Sequence, residues 1–259
     1  MTHPLTAARL VATFAMLSIM VAGASHAESQ SDFHLKYSMG IDYSRGDYGI
    51  EDPTKILFVP LSVEANFTSF RIRATLPFVA ISGPTSIALD SDNNADGYDT
   101  NSYEGFGQMS WKLGYFISPI HELAPWLEAS VKLTMPTESN DSLGSGEWGF
   151  SMQMDAFKRY GRFTPFARIG GTFYSGHRLK DRLYTSIGTS FSVTERISAG
   201  VAHDWFEASI DNVEDTNDIV AFASFRTENR WSIGPYALAG LSDGSPDYGV
   251  GLTFTYRLE

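Results

Sequence analysis

The sequence predicts an all-β fold: a transmembrane antiparallel up-and-down β-barrel of about 12 strands, preceded by a cleavable export signal. Three observations carry that expectation. A short apolar run at the N-terminus ends in small residues. Apolar and polar side chains then alternate with period 2 over segment after segment. Finally, the connections between those segments alternate between short and long.

The export signal occupies residues 1–27. Arg9 is the only Lys or Arg there and no acid is present. An apolar run from Leu10 to Ala24 follows, ending at Ser25-His26-Ala27. A basic start, an apolar middle and small residues at the cleavage point are the three parts of a secretory signal peptide. The run is about 15 residues, short of the roughly 20 that a spanning helix needs. Cleavage is expected after Ala27, leaving 28–259 as one domain. No later stretch of the chain approaches the length of an apolar spanning helix. A chain that crosses lipid without helices must close its strands into a barrel, because every backbone polar group has to be paired internally.

The alternation supplies the strands. Phe33, Leu35, Tyr37, Met39, Ile41 and Tyr43 interleave with His34, Lys36, Ser38, Gly40 and Asp42. At the other end Tyr248, Val250, Leu252, Phe254, Tyr256 and Leu258 interleave with Gly249, Gly251, Thr253, Thr255 and Arg257. Ten more candidates lie near 55–66, 69–80, 107–117, 125–135, 147–158, 163–174, 183–193, 196–206, 218–227 and 231–240. Those at 196–206 and 218–227 alternate less clearly. Segments of about 10–12 residues suit a tilted strand crossing a bilayer, whereas strands of soluble sandwiches are nearer 5–6.

The connections argue independently. Those after even-numbered strands are short, such as Phe67-Thr68 and Thr194-Glu195, while 44–54, 81–106, 136–146, 175–182, 207–217 and 241–247 are longer. Short periplasmic turns opposite long outer loops are the topology of outer-membrane barrels. Composition agrees: 14% aromatic residues and 23 glycines suit many strands and turns. With no cysteine, disulfides and thiolate metal sites are excluded. A net charge of −11 is opposite to the balance of a nucleic-acid binder.

The polar face of the alternation is the expected lumen, and its charges set the field for a solute. The candidates are Arg71, Arg73, Lys112, Glu128, Lys132, Asp155 and Arg168. They either line an open passage or pair with one another and fill it; about twelve strands lies between filled small barrels and open porins. In the longest loop, Asp92, Asn94, Asp96 and Gly97 match the opening of a calcium loop, but its closing position holds Tyr103, with Glu104 one residue late. Calcium is the one cofactor the sequence suggests. A second acidic loop carries Glu207, Asp211, Glu214 and Asp215, and acidic outer loops would repel anions at the mouth. Catalysis is not expected. His34, His121, His177 and His203 are scattered, no G-x-S-x-G is present, and His203 and Asp204 point to opposite faces of a strand.

Three stretches carry a resemblance. They are Leu61-Ser-Val-Glu-Ala-Asn-Phe-Thr-Ser-Phe-Arg-Ile-Arg-Ala-Thr-Leu-Pro-Phe78, then Gly105-Phe-Gly-Gln-Met-Ser-Trp-Lys-Leu-Gly-Tyr115, then Val131-Lys-Leu-Thr-Met-Pro-Thr137 followed by Leu143-Gly-Ser-Gly-Glu147. In this order they resemble the outer-membrane barrels grouped as "MetA-pathway of phenol degradation" proteins, often labelled transporters. The chain departs from that pattern at Gln108, where an Asp is expected, and it ends in Glu259 rather than an aromatic residue. The resemblance implies passage of small, aromatic or hydrophobic compounds, and no catalytic residues.

The sequence therefore leads to a channel in the bacterial outer membrane, exported through the periplasm. Its expected partners are outer-membrane lipid and lipopolysaccharide, the barrel-assembly machinery and a small-molecule solute. The alternatives are a plugged structural or adhesive barrel acting through its acidic loops, and a lipid-modifying barrel enzyme that would depend on His203.

Overall fold

The computed structural model describes residues 33–48, 53–84, 100–210 and 213–258. Its strands are β1 (Phe33–Gly46), β2 (Thr54–Phe67), β3 (Phe70–Pro84), β4 (Thr100–Phe106), β5 (Ser110–Ile117), β6 (Trp126–Thr134), β7 (Gly149–Phe157), β8 (Phe163–Tyr174), β9 (Arg182–Ser192), β10 (Ile197–Phe206), β11 (Thr216–Arg226), β12 (Trp231–Gly240) and β13 (Tyr248–Leu258). Each pairs antiparallel with its neighbours, and β13 returns to β1 in a register running from Leu35↔Leu258 to Arg45↔Tyr248. That pairing closes the barrel through the twelve staves, and the far edge of β4 is met by the 135–148 loop, where Ser139 N donates to Phe106 O at 2.9 Å.

The barrel has twelve staves, because β4 and β5 are two halves of one. β5 pairs with the first half of β3 (Phe70↔Tyr115 to Thr75↔Ser110), and β4 with the second half (Phe78↔Phe106 to Pro84↔Thr100). The break between them, Gly107-Gln108-Met109, falls opposite Pro77, whose ring nitrogen has no hydrogen to donate. Gly107 N instead donates to Pro77 O at 2.9 Å.

Successive side chains point to opposite faces, so each strand has a lipid side and a lumen side. On β1 the outward set is Phe33, Tyr37, Met39 and Ile41, all exposed, and the inward set is Lys36, Ser38, Gly40, Asp42 and Ser44. On β5 the outward set is Trp111, Leu113, Tyr115 and Ile117. Large exposed apolar side chains on strand after strand form the belt that faces hydrocarbon. Aromatic pairs cluster at the short-turn end, including Phe67 on Phe70 (4.3 Å), Phe163 by Phe191 (4.9 Å) and Trp231 by Tyr256 (5.1 Å). No helix among the described residues is long and apolar enough to cross a membrane.

The strands read from the alternation are present, the two weaker ones included as β10 and β11. One boundary differs. The segment expected as the loop 81–106 holds the end of β3 and all of β4. Above the lipid the rule that located the strands inverts: here the inward side chains Val79 and Ile81 are apolar and buried, and Ser82 and Glu104 point outward. Residues 1–27 and the candidate calcium ligands Asp92, Asn94 and Asp96 lie outside the described residues.

Leu113 sits within the lipid-facing belt of β5. Leu113→Arg is expected to lower stability in lipid by about 2–4 kcal/mol, read by denaturant titration in vesicles. Arginine at inward-facing Ser110 is expected to cost less.

Candidate functional site: the barrel lumen

The lumen has two unlike walls and a capped mouth. The first wall runs from β1 to β8 and is a chain of ion pairs. Glu64 on β2 sits directly opposite Lys36 on β1 and Arg73 on β3. It accepts from Lys36 Nζ at 3.4 Å, Arg73 Nε at 2.7 Å and Asn66 Nδ2 at 3.0 Å. Arg71, two residues before Arg73, turns the other way. Its Nε and Nη2 grip Glu128 Oε1 and Oε2 at 2.9 and 2.8 Å, the two-pronged geometry that suits guanidinium and carboxylate. Arg168 Nε holds Asp155 Oδ1 at 2.7 Å, again directly across a strand pair.

The Arg71–Glu128 contact spans a whole strand. Arg71 is on β3 and Glu128 on β6, with β5 between them, and the residue that β5 places there is Gly114. A methyl group at Gly114 would lie 2.4 Å from Glu128 Oε1. The glycine is therefore the gap through which the carboxylate reaches its partner. Glu128 and Asp155 are opposite each other on β6 and β7. Two buried carboxylates side by side are tolerable only because each has its own arginine.

The second wall, from β9 to β13, carries small polar residues toward its short-turn end: Ser190, Ser192, Ser198, Ser232, Thr253 and Thr255 face inward and are only half-buried, while Arg182, Asp204, Phe206, Asp218, Val220 and Leu238 are buried toward the long loops. Four of the inward aromatic rings, one of them on adjoining β8, lie flat. Phe166 faces Gly188, Tyr184 faces Gly170, Phe222 faces Gly200 and Tyr236 faces Gly251, each directly across a strand pair. A Cβ at Gly200 would be 2.4 Å from the Phe222 ring. Two of the rings are also tied at the far end: Tyr236 Oη donates to Asp42 Oδ1 at 2.8 Å and Tyr184 Oη to Gln153 Oε1 at 3.1 Å. Glycine across the ladder lets each ring rest on the wall instead of projecting into the lumen.

The cap is the loop 135–148, between β6 and β7. Leu143 is buried in a cluster with Ile56, Phe58, Val79 and Ile81, with Tyr103 packed against it. The loop is held at several points. Gln108 Nε2 donates to Ser145 Oγ at 3.1 Å and to Glu147 O at 3.2 Å, Met109 N to Thr137 Oγ1 at 2.8 Å, and Gly146 N to Glu138 Oε1 at 2.6 Å. Gly105, at φ +153°, leaves room for Ser139 and Leu143 to lie over β4. The stretches that carry the family resemblance thus meet in space. Pro77, Gly105 to Gln108, Thr137 and Leu143 to Glu147 build one structure, the seat of this loop. Beneath Leu143 is a cavity of about 50 Å³, lined by Phe58 and Val79 above and by Lys132, Thr134, Ser151 and Thr172 below.

The structure places Arg71, Arg73, Lys112, Glu128, Lys132, Asp155 and Arg168 on the inward face. Five of them join the ion-pair chain, while Lys112 and Lys132 face each other across β5 and β6. Reasoning from sequence passed over Lys36, Glu64 and Arg182, although Glu64 is in phase with Ser62 and Asn66 and could have been found by extending the alternation along β2. The acidic outer loop is partly committed: Glu207 accepts from Leu183 N and Asp215 from Ala208 N, so these two cap backbone. His203 points outward, away from buried Asp204, and His121 Nδ1 accepts from Leu123 N in a periplasmic turn.

No family model and no curated protein matches the sequence. Solved structures do match in fold. An outer-membrane channel from Pseudomonas putida F1 overlays with a TM-score of 0.72 at 14% identity, covering 91% of this chain and 99% of that one. The translocator domain of the autotransporter NalP from Neisseria meningitidis gives 0.56 at 12% identity, covering 97% of each chain. The KdgM porin, solved with oligogalacturonate, gives 0.50 at 6%, covering 87% of this chain and 98% of that one. The chain has the closed-barrel fold of these outer-membrane proteins. At these identities the likeness is one of fold, and barrels of this fold include porins and translocators alike.

Gly114→Ala is expected to break the Arg71–Glu128 pair and leave both charges buried. The loss should be about 3–5 kcal/mol, measured by denaturant unfolding of the refolded barrel. Gly234→Ala, on the small-residue wall, serves as the control and should change little.

Proposed function

We propose that the protein is a diffusion channel for small solutes across the outer membrane, with its path along the small-residue wall of β9–β13. The observation that carries this reading is that wall itself. A lumen meant to be filled would place large side chains on its inward positions, as small barrels do. Here many of the inward positions are serine, threonine and glycine, and four large rings are laid flat on glycines, while Phe206, Val220 and Leu238 lie buried toward the long-loop end. The opposite wall is tied together by ion pairs between its own strands. A solute would meet hydroxyl groups on one side and the edge of a charged array on the other, an arrangement that selects by polarity as well as size.

The likeness to an outer-membrane channel from Pseudomonas putida supports the reading, as does the family resemblance, which implies small aromatic or hydrophobic compounds. A plugged structural barrel is the second reading. The seat of Leu143 favours it, since that cluster closes the mouth over β2 to β4.

Single-channel recording in a planar bilayer separates the two. The refolded mature chain is expected to conduct, and shortening the loop by removing Ser139–Gly146 should raise the conductance about two- to threefold. A correctly folded barrel that stays silent both with and without the loop would overturn the channel reading.

A further inference from the structure

The chain is strongly acidic, with a net charge of −11, yet three cations fall together at its short-turn end. Lys158, Arg159 and Arg162 lie in the turn between β7 and β8, with no acid among them. Among the described residues no carboxylate pairs with any of the three. Arg196, on another short turn, is by contrast held by Glu228 at 2.7 Å.

The turn is a built structure. Tyr160 and Phe163 exchange backbone hydrogen bonds of 2.7 and 3.0 Å around Gly161, whose φ of +60° suits a two-residue hairpin turn. Arg159 Nε donates to Gly161 O at 2.9 Å, which fixes the guanidinium over the turn without neutralising it. Lys158 continues the pairing of β7 with β8, its N–H donating to Pro165 O at 3.2 Å, so it has the lipid-facing parity of Met154 and Ala156. Its Nζ donates to Glu122 O at 2.6 Å and lies 5.2 Å from the centre of the Tyr160 ring. That bond draws the neighbouring turn, 118–125, alongside. Glu122 is the one acid there, so the two turns together carry three cations and one carboxylate.

The same rim is apolar. Ile120 is 95% exposed and Leu123 80%, more than any large apolar residue of the lipid-facing belt, where Ile187 reaches 65%. A single exposed leucine needs no explanation, but these two share the rim with exposed Tyr160 and Phe163. Phe163 also packs on Phe191 at the lower margin of the belt. Just above, outward Ala156 faces Ala167 across β7 and β8, a shallow place in the wall where an acyl chain can lie close. A soluble polyanion would satisfy the cations and leave Ile120 and Leu123 in water. A phospholipid satisfies both.

We propose that the turns 118–125 and 158–162 form a binding site for an anionic phospholipid of the periplasmic leaflet, its phosphate on Lys158, Arg159 and Arg162 and its acyl chains against Ala156, Ala167 and Phe163. Ile120 and Leu123 then lie at the boundary between headgroups and acyl chains. A guanidinium takes a phosphate with two parallel hydrogen bonds, and the ammonium adds a point charge. Basic residues beside a membrane surface favour anionic over zwitterionic lipid. The site holds the barrel at a fixed depth, and it does not depend on whether the lumen conducts.

The test is native mass spectrometry of the refolded mature chain in a non-ionic detergent, with phosphatidylglycerol or phosphatidylcholine of the same acyl chains added. Phosphatidylglycerol should bind about tenfold more tightly, and Arg159→Gln combined with Arg162→Gln should remove most of that preference. Both arginines are exposed, so the double variant keeps the barrel. Arg196→Gln, at the arginine that already has a carboxylate, should leave the preference intact. Equal binding of the two lipids, a preference that survives the double variant, or one that falls as far with Arg196→Gln would each overturn the proposal. Tighter binding of soluble polyglutamate than of phosphatidylglycerol would also overturn it, and would point to an acidic periplasmic protein instead.

Discussion

A backbone group left unpaired in hydrocarbon costs several kcal/mol, and that cost governs this molecule more than any side-chain contact. It requires the pairing of β1 with β13, because an open edge could not sit in lipid. Closure in turn gives every strand two faces with opposite demands. The outer face must be apolar, and the inner face inherits whatever polar residues the chain carries. At twelve staves the inner face encloses a narrow space, so charges placed there meet one another.

That crowding explains the ion-pair wall and its glycines. A carboxylate such as Glu128 is costly inside the barrel unless a guanidinium reaches it, and the nearest unclaimed one is two strands away. Gly114 opens the way. The same device, a small residue across the ladder from a large one, keeps Phe166, Tyr184, Phe222 and Tyr236 against the wall. On one side glycine brings charges together, and on the other it keeps rings out of the passage. At Pro77 closure fails locally, and Gly107-Gln108-Met109 repairs it while turning Gln108 toward the loop that caps the mouth. The repair of a backbone break and the anchoring of the cap are thus one arrangement.

Much of the fold was legible in the sequence, because within lipid most outward positions are apolar and the inward ones mostly polar or small, with inward rings such as Phe166 and Phe222 as the exceptions, the second of which blurs β11. The alternation failed where the barrel leaves the membrane. There Val79, Ile81 and Tyr103 point inward and form a core like that of a soluble protein, and the outward residues turn polar. The inward orientation of Arg71, Lys132 and Asp155 followed from parity alone. Their partners did not, since which carboxylate meets which arginine depends on register and on a gap such as Gly114. The seat of Leu143 was visible only as three separate motifs. Their convergence comes from the pairing of β3 with both β4 and β5, which no local pattern announces.

The central claim is that water and solute reach the wall of β9–β13 while the outer faces of the same strands lie in lipid. The native chain has no cysteine, so single cysteines report cleanly. Ser190→Cys, Ser198→Cys and Thr253→Cys should react with a charged, membrane-impermeant thiol reagent when the barrel is in vesicles, and Ala199→Cys and Val201→Cys should not. Protection of all three inward positions in a folded barrel would contradict the account and leave a lumen closed along its whole length.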